Sequence, residues 1–192
     1  MRKLNASTMN NAKTLQEYDE IVKECRTLFS LKLQDYGPSW RIMRLPTVND
    51  QLFIKVKRIR EIEQTGVNLV DESIKSSMMA VFNYSIIGII QAHLGFVENV
   101  DMDTQQTLNH YDQTVAEAKA LMCNKNHDYD EAWREMSYVS LTDIILTKIL
   151  RNKSILKNNN KTIVSEGVEG NFVDMANYAV FYLIKLAEGV ID

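Results

Sequence analysis

A nearly all-α protein, built from one helical unit written twice in tandem, is what the sequence predicts. Three observations carry the prediction. Two prolines and seven glycines in 192 residues are too few for a sandwich or barrel assembled from many turns. The apolar residues group with helical period between cap and breaker signals. Sliding the chain on itself by 93 residues aligns Tyr18–Ile62 with Tyr111–Ile155 without a gap, and 15 of the 45 pairs are identical.

The heart of the repeat is Lys32, Asp35, Tyr36, Trp40, Arg41 and Met43 against Lys125, Asp128, Tyr129, Trp133, Arg134 and Met136. It continues as Asp50, Lys55 and Arg58 against Asp143, Lys148 and Arg151, and after a one-residue insertion Glu72, Asn83, Tyr84 and Gly95 meet Glu166, Asn177, Tyr178 and Gly189. Each copy parses into the same elements. A first helix spans roughly 13–33 or 104–126 and ends at KLQDYGPSW or KNHDYDEAW. A second helix is expected to open at Thr47-Val-Asn-Asp50 or Ser140-Leu-Thr-Asp143, which resemble capping boxes with Asp in the Glu position. A third, long helix covers about 71–94 or 167–188, after breakers at Gly66 and Asn68 or at Asn158–Asn160. The repeats are residues 1–95 and 96–192, and FVENVDMD at 96–103 is the linker. Each unit exposes a wide apolar face, so the two are expected to bury these faces against one another about a pseudo-twofold axis in one helical bundle.

At 45% hydrophobic and 24% charged residues the chain can bury a core without staples. A net charge of −3 without a basic block argues against direct DNA binding. Cys25 and Cys123 match no disulfide framework and no CxxC metal spacing, which points to a reducing compartment, the cytoplasm. The N-terminus lacks the apolar body of a secretion signal. Met78–Phe96 has membrane length but carries Asn83, Gln91 and His93, and its counterpart carries Asp174 and Lys185, so both read as buried helices and no membrane role is expected. Self-association into a homo-oligomer stays open.

Candidate chemistry concentrates in the second copy. On its third helix Glu166, Asp174 and Asn177 fall within an arc of about 80°, with Glu169 about 60° outside it. Buried carboxylates need a cation or a hydrogen-bond network, and oxygen-only ligands suit Mg²⁺ or Mn²⁺. The alternative is a solvated first turn at Glu166 and Glu169, with Asp174 and Asn177 bonded across a helix interface. On the second helix Lys148 points with Ile144 and Ile155 and is thus partly inside, with Arg151 one turn on. The pair serves either the carboxylates or a phosphate. Trp133 or Tyr129 could stack a base, although aromatics at helical spacing are more often core, and Asp128 could cap the short helix after it. The first copy has Pro38, Ile42, Lys75 and Ala80 where the second has Glu131, Glu135, Glu169 and Asp174. That asymmetry assigns the working site to the second copy.

The runs KNHDYDEAWREM, SLTDIILTKILRNKSI and EGVEGNFVDMANYAVFYLIKL resemble the nucleotide modification associated domain 1 family, also called domain of unknown function 1599. LKLQDYGPSWRIMR and NDQLFIKVKRIREIE are similar to the degenerate first copy of its two-repeat bacterial members. The family name reflects association with genes for modified nucleotides. Its KNxDYG pattern maps onto Lys125, Asn126, Asp128 and Tyr129, with Asp130 in place of Gly, so an altered turn is expected there. Its D-x-x-N-Y element maps onto Asp174, Asn177 and Tyr178. A more distant similarity is to the all-α nucleoside triphosphate pyrophosphatases, whose paired acids on the first long helix are not clearly present. The resemblance, with the acids of the second copy, implies a metal-dependent protein that binds and hydrolyses a nucleotide or modified nucleotide, activating a water for attack on phosphorus. Mg²⁺ would be held by Glu166, Glu169 and Asp174, with Asp128 and Glu166 as catalytic carboxylates. Lys125, Lys148 and Arg151 would meet phosphates, and Asn177, Tyr129 and Trp133 would contact the rest of the substrate. The rival is a non-catalytic nucleotide-binding or interaction module.

Overall fold

A computed structural model describes residues 2–158, 160–162 and 167–190. Among them are six α-helices and no strand: α1 (Arg2–Tyr36), α2 (Leu45–Thr65), α3 (Ile74–Leu94), α4 (Thr104–Tyr129), α5 (Tyr138–Lys157) and α6 (Gly167–Ala187). A single 3₁₀ turn follows α1 at Ser39–Ile42 and another follows α4 at Ala132–Glu135.

Side-chain caps set several starts. Asp103 and Gln106 form a reciprocal capping box at α4, and Ser73 accepts from the Ser76 N–H at α3. The starts expected at Thr47 and Ser140 fall inside the first turn instead. Helix α2 opens at Leu45 with Pro46 in its first turn, where a missing N–H costs nothing, and α5 opens at Tyr138 behind Ser137, whose hydroxyl accepts from the Ser140 N–H. The hydroxyl-acid pattern thus marks a real helix start but begins within its first turn, at the third residue.

The long helices α3 and α6 pack against each other at the centre, with α2 flanking α3 and α5 flanking α6. α1 reaches α6 as well as α3, and α4 reaches α3 as well as α6. Thirteen of the 21 residues in each central helix are buried, so neither has a true solvent face. Helix α3 is long and apolar enough to cross a membrane by composition, and 67% of that stretch is covered by the rest of the protein. At the crossing, an added Cβ on Gly88 would lie 2.7 Å from the fully buried Phe172 ring. Only a hydrogen at this position lets the helices approach so closely.

Polar groups on these helices are paired across the repeats. The Tyr18 hydroxyl donates to Asn177 Oδ1 at 2.9 Å and the Tyr111 hydroxyl to Asn83 Oδ1 at 2.7 Å. The amides of Asn83 and Asn177 donate to the carbonyls of Cys25 and Ala118, both at 3.1 Å. Gln91 donates to the Met43 carbonyl, and Lys185, its counterpart, to the Met136 carbonyl, so each central helix anchors its own 3₁₀ turn. Leaving such a buried group unsatisfied costs about 1–3 kcal/mol.

Gly88→Ala should therefore overpack the centre and cost about 1–3 kcal/mol, a fall in Tm of roughly 2–4 °C per kcal/mol in a domain of this size. Thermal melts of Gly88→Ala alone and with Phe172→Leu check it. An unchanged Tm for the single variant would remove the close approach as a constraint.

Candidate functional site

At the end of α4 the chain turns sharply through Asp130 and Glu131, both left-handed with φ of 47° and 58°. The 3₁₀ turn then carries Trp133 back against α6. Between α4, this turn and α6 lies a cavity of about 340 Å³, lined by Lys125, Asn126, Tyr129, Trp133, Asp174, Asn177 and Tyr178 among others.

Asp174 forms its charged floor. One carboxylate oxygen accepts from Lys125 Nζ at 2.8 Å and the other from Lys148 Nζ at 2.5 Å, and the Asp174 side chain is 12% exposed. Burial alone would push the carboxyl up, but the two lysine hydrogen bonds outweigh it and hold Asp174 below the ordinary carboxylate value of 3.8. Of the two lysines Lys125 is the more exposed, with its side chain 44% accessible against 18% for Lys148.

The wall is a chain of hydrogen bonds. The Trp133 indole N–H donates to Asn126 Oδ1 at 3.0 Å, and Asn126 donates to Glu131 at 3.1 Å. Glu131 is buried and also accepts from Thr14 of α1 and from Arg134 at 2.8 Å. Burial would raise the Glu131 carboxyl, yet the bonds from Thr14, Arg134 and Asn126 hold it below 4.5. Arg134 in turn pairs with Glu17 at 2.6 Å and with Glu188 at 3.3 Å.

The first repeat has the corresponding cavity, reduced to about 90 Å³ and lined by Lys32, Tyr36, Trp40, Ala80, Asn83 and Tyr84 among others. Ala80 stands where the floor carboxylate would be. Leu33 stands at the Asn126 position, and the buried Trp40 indole N–H has no hydrogen-bond partner among the described residues.

Of the residues singled out in the sequence, Lys125, Tyr129, Trp133, Asp174 and Asn177 line one cavity, and Lys148 braces it from behind. The others lie elsewhere. Glu169 pairs with His93 of α3 at 2.9 Å and points away from Asp174, since five residues on a helix is about 140° of rotation. The expected metal trio is therefore not assembled by Glu169 and Asp174, and Glu166 lies outside the described residues. Arg151 is exposed on α5 and does not line the cavity. Asp128 is exposed and belongs to the last turn of α4, which runs on to Tyr129, so it is not the N-cap of the short helix beyond. Trp133 cannot stack a base: Phe181 covers one face at 4.3 Å with the rings 4° from parallel, and the Arg134 guanidinium lies 4.4 Å from the ring centre. Tyr129, 69% exposed, keeps its ring open to a ligand. The sequence marks Asn126 by its motif and Glu131 as an acid peculiar to the second copy, but not their bond to each other in the wall. The signal was their replacement in the first copy by Leu33 and Pro38, two changes that travel with the loss of the acid at Ala80.

A bundle of two helical repeats with a polar-floored cavity in the second is the class of architecture that the described elements define. The nucleotide modification associated domain 1 model matches residues 32–92 and 125–186, and the chain belongs to that family. The two matched segments contain most residues of the smaller and larger cavities respectively. No curated protein and no solved structure matches the chain.

Asp174 is depressed in the folded state, so its contribution to stability is complete above its unfolded value near 3.8 and is lost as pH falls below it. Asp174→Asn should thus be less stable than the parent at neutral pH, with the gap closing in acid. Urea melts from pH 7 to 3 check it, and a gap independent of pH would mean the lysine pairing is worth nothing. Asp130 occupies the left-handed position that Gly37 fills at φ 64° in the first repeat, but the next residue differs, left-handed at Glu131 (φ 58°) and at φ −81° in Pro38, so the turn is altered at its second residue. Asp130→Gly should raise stability by about 0.5–1 kcal/mol. A loss instead would show that the Asp130 carboxylate has a partner the turn depends on.

Proposed function

We propose that the second repeat is a nucleotide-binding module whose cavity receives the base and sugar of a nucleotide, with Lys125 turned toward its phosphate. One observation carries the reading: a cavity of about 340 Å³, aromatic at Tyr129, Tyr178 and Phe181, over the Lys125–Asp174–Lys148 floor. That volume is at the lower end of small-molecule sites, roughly 300–1,000 Å³, and suits a nucleoside-sized body with its charged tail outside. Asp174 can accept a base N–H through lone pairs its lysines leave, while Tyr129 stacks at the rim. Membership of a family associated with nucleotide modification agrees with such a ligand.

Metal-dependent hydrolysis, the leading function expected from the sequence, finds less support than its non-catalytic rival. Mg²⁺ asks for carboxylates open to it, and both Asp174 oxygens already accept from ammonium groups while Glu169 engages His93. Among the described residues no cluster of three acidic, His or Cys side chains is placed to hold a metal, which also leaves the pyrophosphatase likeness without its donor set. The two repeats are read as halves about an approximate twofold axis. The reciprocal Tyr–Asn bonds and the matched cavities support this.

Calorimetric titration with the common ribo- and deoxyribonucleosides and their phosphates tests the function. Ala132 and Ser39 occupy the same place in the two cavities. Ala132→Trp should weaken binding at least tenfold, equal to about 1.4 kcal/mol, and Ser39→Trp should leave it unchanged. Absence of binding to the whole panel, or equal loss from both variants, would overturn the reading.

A further inference from the structure

We infer that a separate cavity at the junction of the repeats is a second ligand site, for a small organic oxyanion: a carboxylate or phosphate monoester on a compact apolar body. The cavity, of about 220 Å³, opens where the start of α2 and the end of α3 meet the last turn of α5 and the segment beyond it. Met43, Leu45, Pro46, Phe96 and Leu156 give it apolar walls. No Asp or Glu is among the described residues that line it, and Arg44 is the one charged residue among them. Arg44 is exposed, with its guanidinium 5.1 Å from the centre of the Phe96 ring, and it makes no hydrogen bond or ion pair with any described residue. A guanidinium held against a ring keeps its five N–H donors, and their planar fork matches two oxygens of a carboxylate or phosphate. Gln91 also lines the cavity, but its oxygen accepts from Arg41 and its amide donates to the carbonyls of Arg41 and Met43. Arg44 is thus the group left to hold the charged end of a ligand.

The second repeat shows what this place lacks. Arg44, Leu45 and Phe96 stand where it has Ser137, Tyr138 and Val190. There the Ser137 hydroxyl caps α5, while the Tyr138 ring packs on Tyr182 with centres 4.7 Å apart and its hydroxyl donates to the Val190 carbonyl at 3.0 Å. One tyrosine supplies both an aromatic body and a polar end. In the first repeat leucine is shorter and has no polar end, and Arg44, at the cap position of α2, makes no side-chain cap bond and lies over Phe96 instead. The complement of such a place is an apolar body against Met43, Pro46 and Leu156 with an oxyanion on Arg44. The volume falls below the roughly 300–1,000 Å³ of drug-sized sites, which limits that body to a single ring or a short aliphatic chain.

The experiment is an NMR titration of the full chain with benzoate, phenyl phosphate and the neutral benzyl alcohol. At least one of the two anions should shift the Phe96 and Leu156 signals and bind at least tenfold tighter than the alcohol, a factor equal to about 1.4 kcal/mol. The tighter of the two identifies the oxyanion. Arg44→Gln, a change at an exposed side chain, should weaken that binding about tenfold or more, and Arg44→Lys, which keeps the charge without the fork, should fall between. Leu45→Tyr, the residue of the second repeat, should fill the cavity and abolish binding without lowering Tm. These variants leave the larger cavity untouched, so nucleotide binding there should not change. Failure of both anions to bind, equal affinity for benzyl alcohol, or undiminished binding by Arg44→Gln would overturn the inference.

Discussion

The structure depends on two helices that have no side to give to water. α3 and α6 are apolar around most of their circumference, and each finds burial only against the other and against the helices that flank them both. The contact is tightest where the Phe172 ring lies on Gly88. A helix buried on all sides converts every polar residue it carries into an obligation, because an unpaired group there cannot turn to solvent. Asn83 and Asn177 meet that obligation with a tyrosine from the opposite repeat and a carbonyl from their own. Each repeat thus satisfies its buried asparagine only with a tyrosine of the other.

The same obligation shapes the cavity. Asp174 is a carboxylate on a nearly enclosed helix, and two lysines from two different helices converge on it. The cavity of about 340 Å³ lies over this cluster. With Ala80 at the corresponding place the first repeat has no such cluster, and its aromatic and aliphatic side chains close to about 90 Å³. The two repeats thus differ here in the room available as well as in the electrostatics.

Much of this is legible in the sequence because duplication is a strong signal: paired positions such as Trp40 with Trp133 and Asn83 with Asn177 fix which residues occupy equivalent places. The direction of Lys148 comes from helical rotation alone, and the side chain indeed sits largely buried on Asp174. Partners outside the repeat pattern are not legible. Nothing in the local sequence sends Glu169 to His93 across the helix pair, and nothing shows that Phe181 and Arg134 occupy both sides of Trp133. Cap motifs are ambiguous for a similar reason. Pro46 and Ser137 each offer a start ahead of the hydroxyl-acid motif, and tertiary packing selects between such neighbours.

The wall of the larger cavity shows why the differences between the repeats come as a set. Glu131 has no role without Arg134, Thr14 and Asn126 to hold it, and Asn126 uses its other atom to accept from Trp133. Replace Asn126 by leucine and the indole loses its acceptor, as Trp40 has beside Leu33. Replace Glu131 by proline and the anchor to the neighbouring helix disappears, as at Pro38. Thr14 and Glu17, which secure this wall, belong to α1 and hence to the first repeat. The half with the smaller cavity therefore supplies support for the half with the larger one, and the site draws on both repeats.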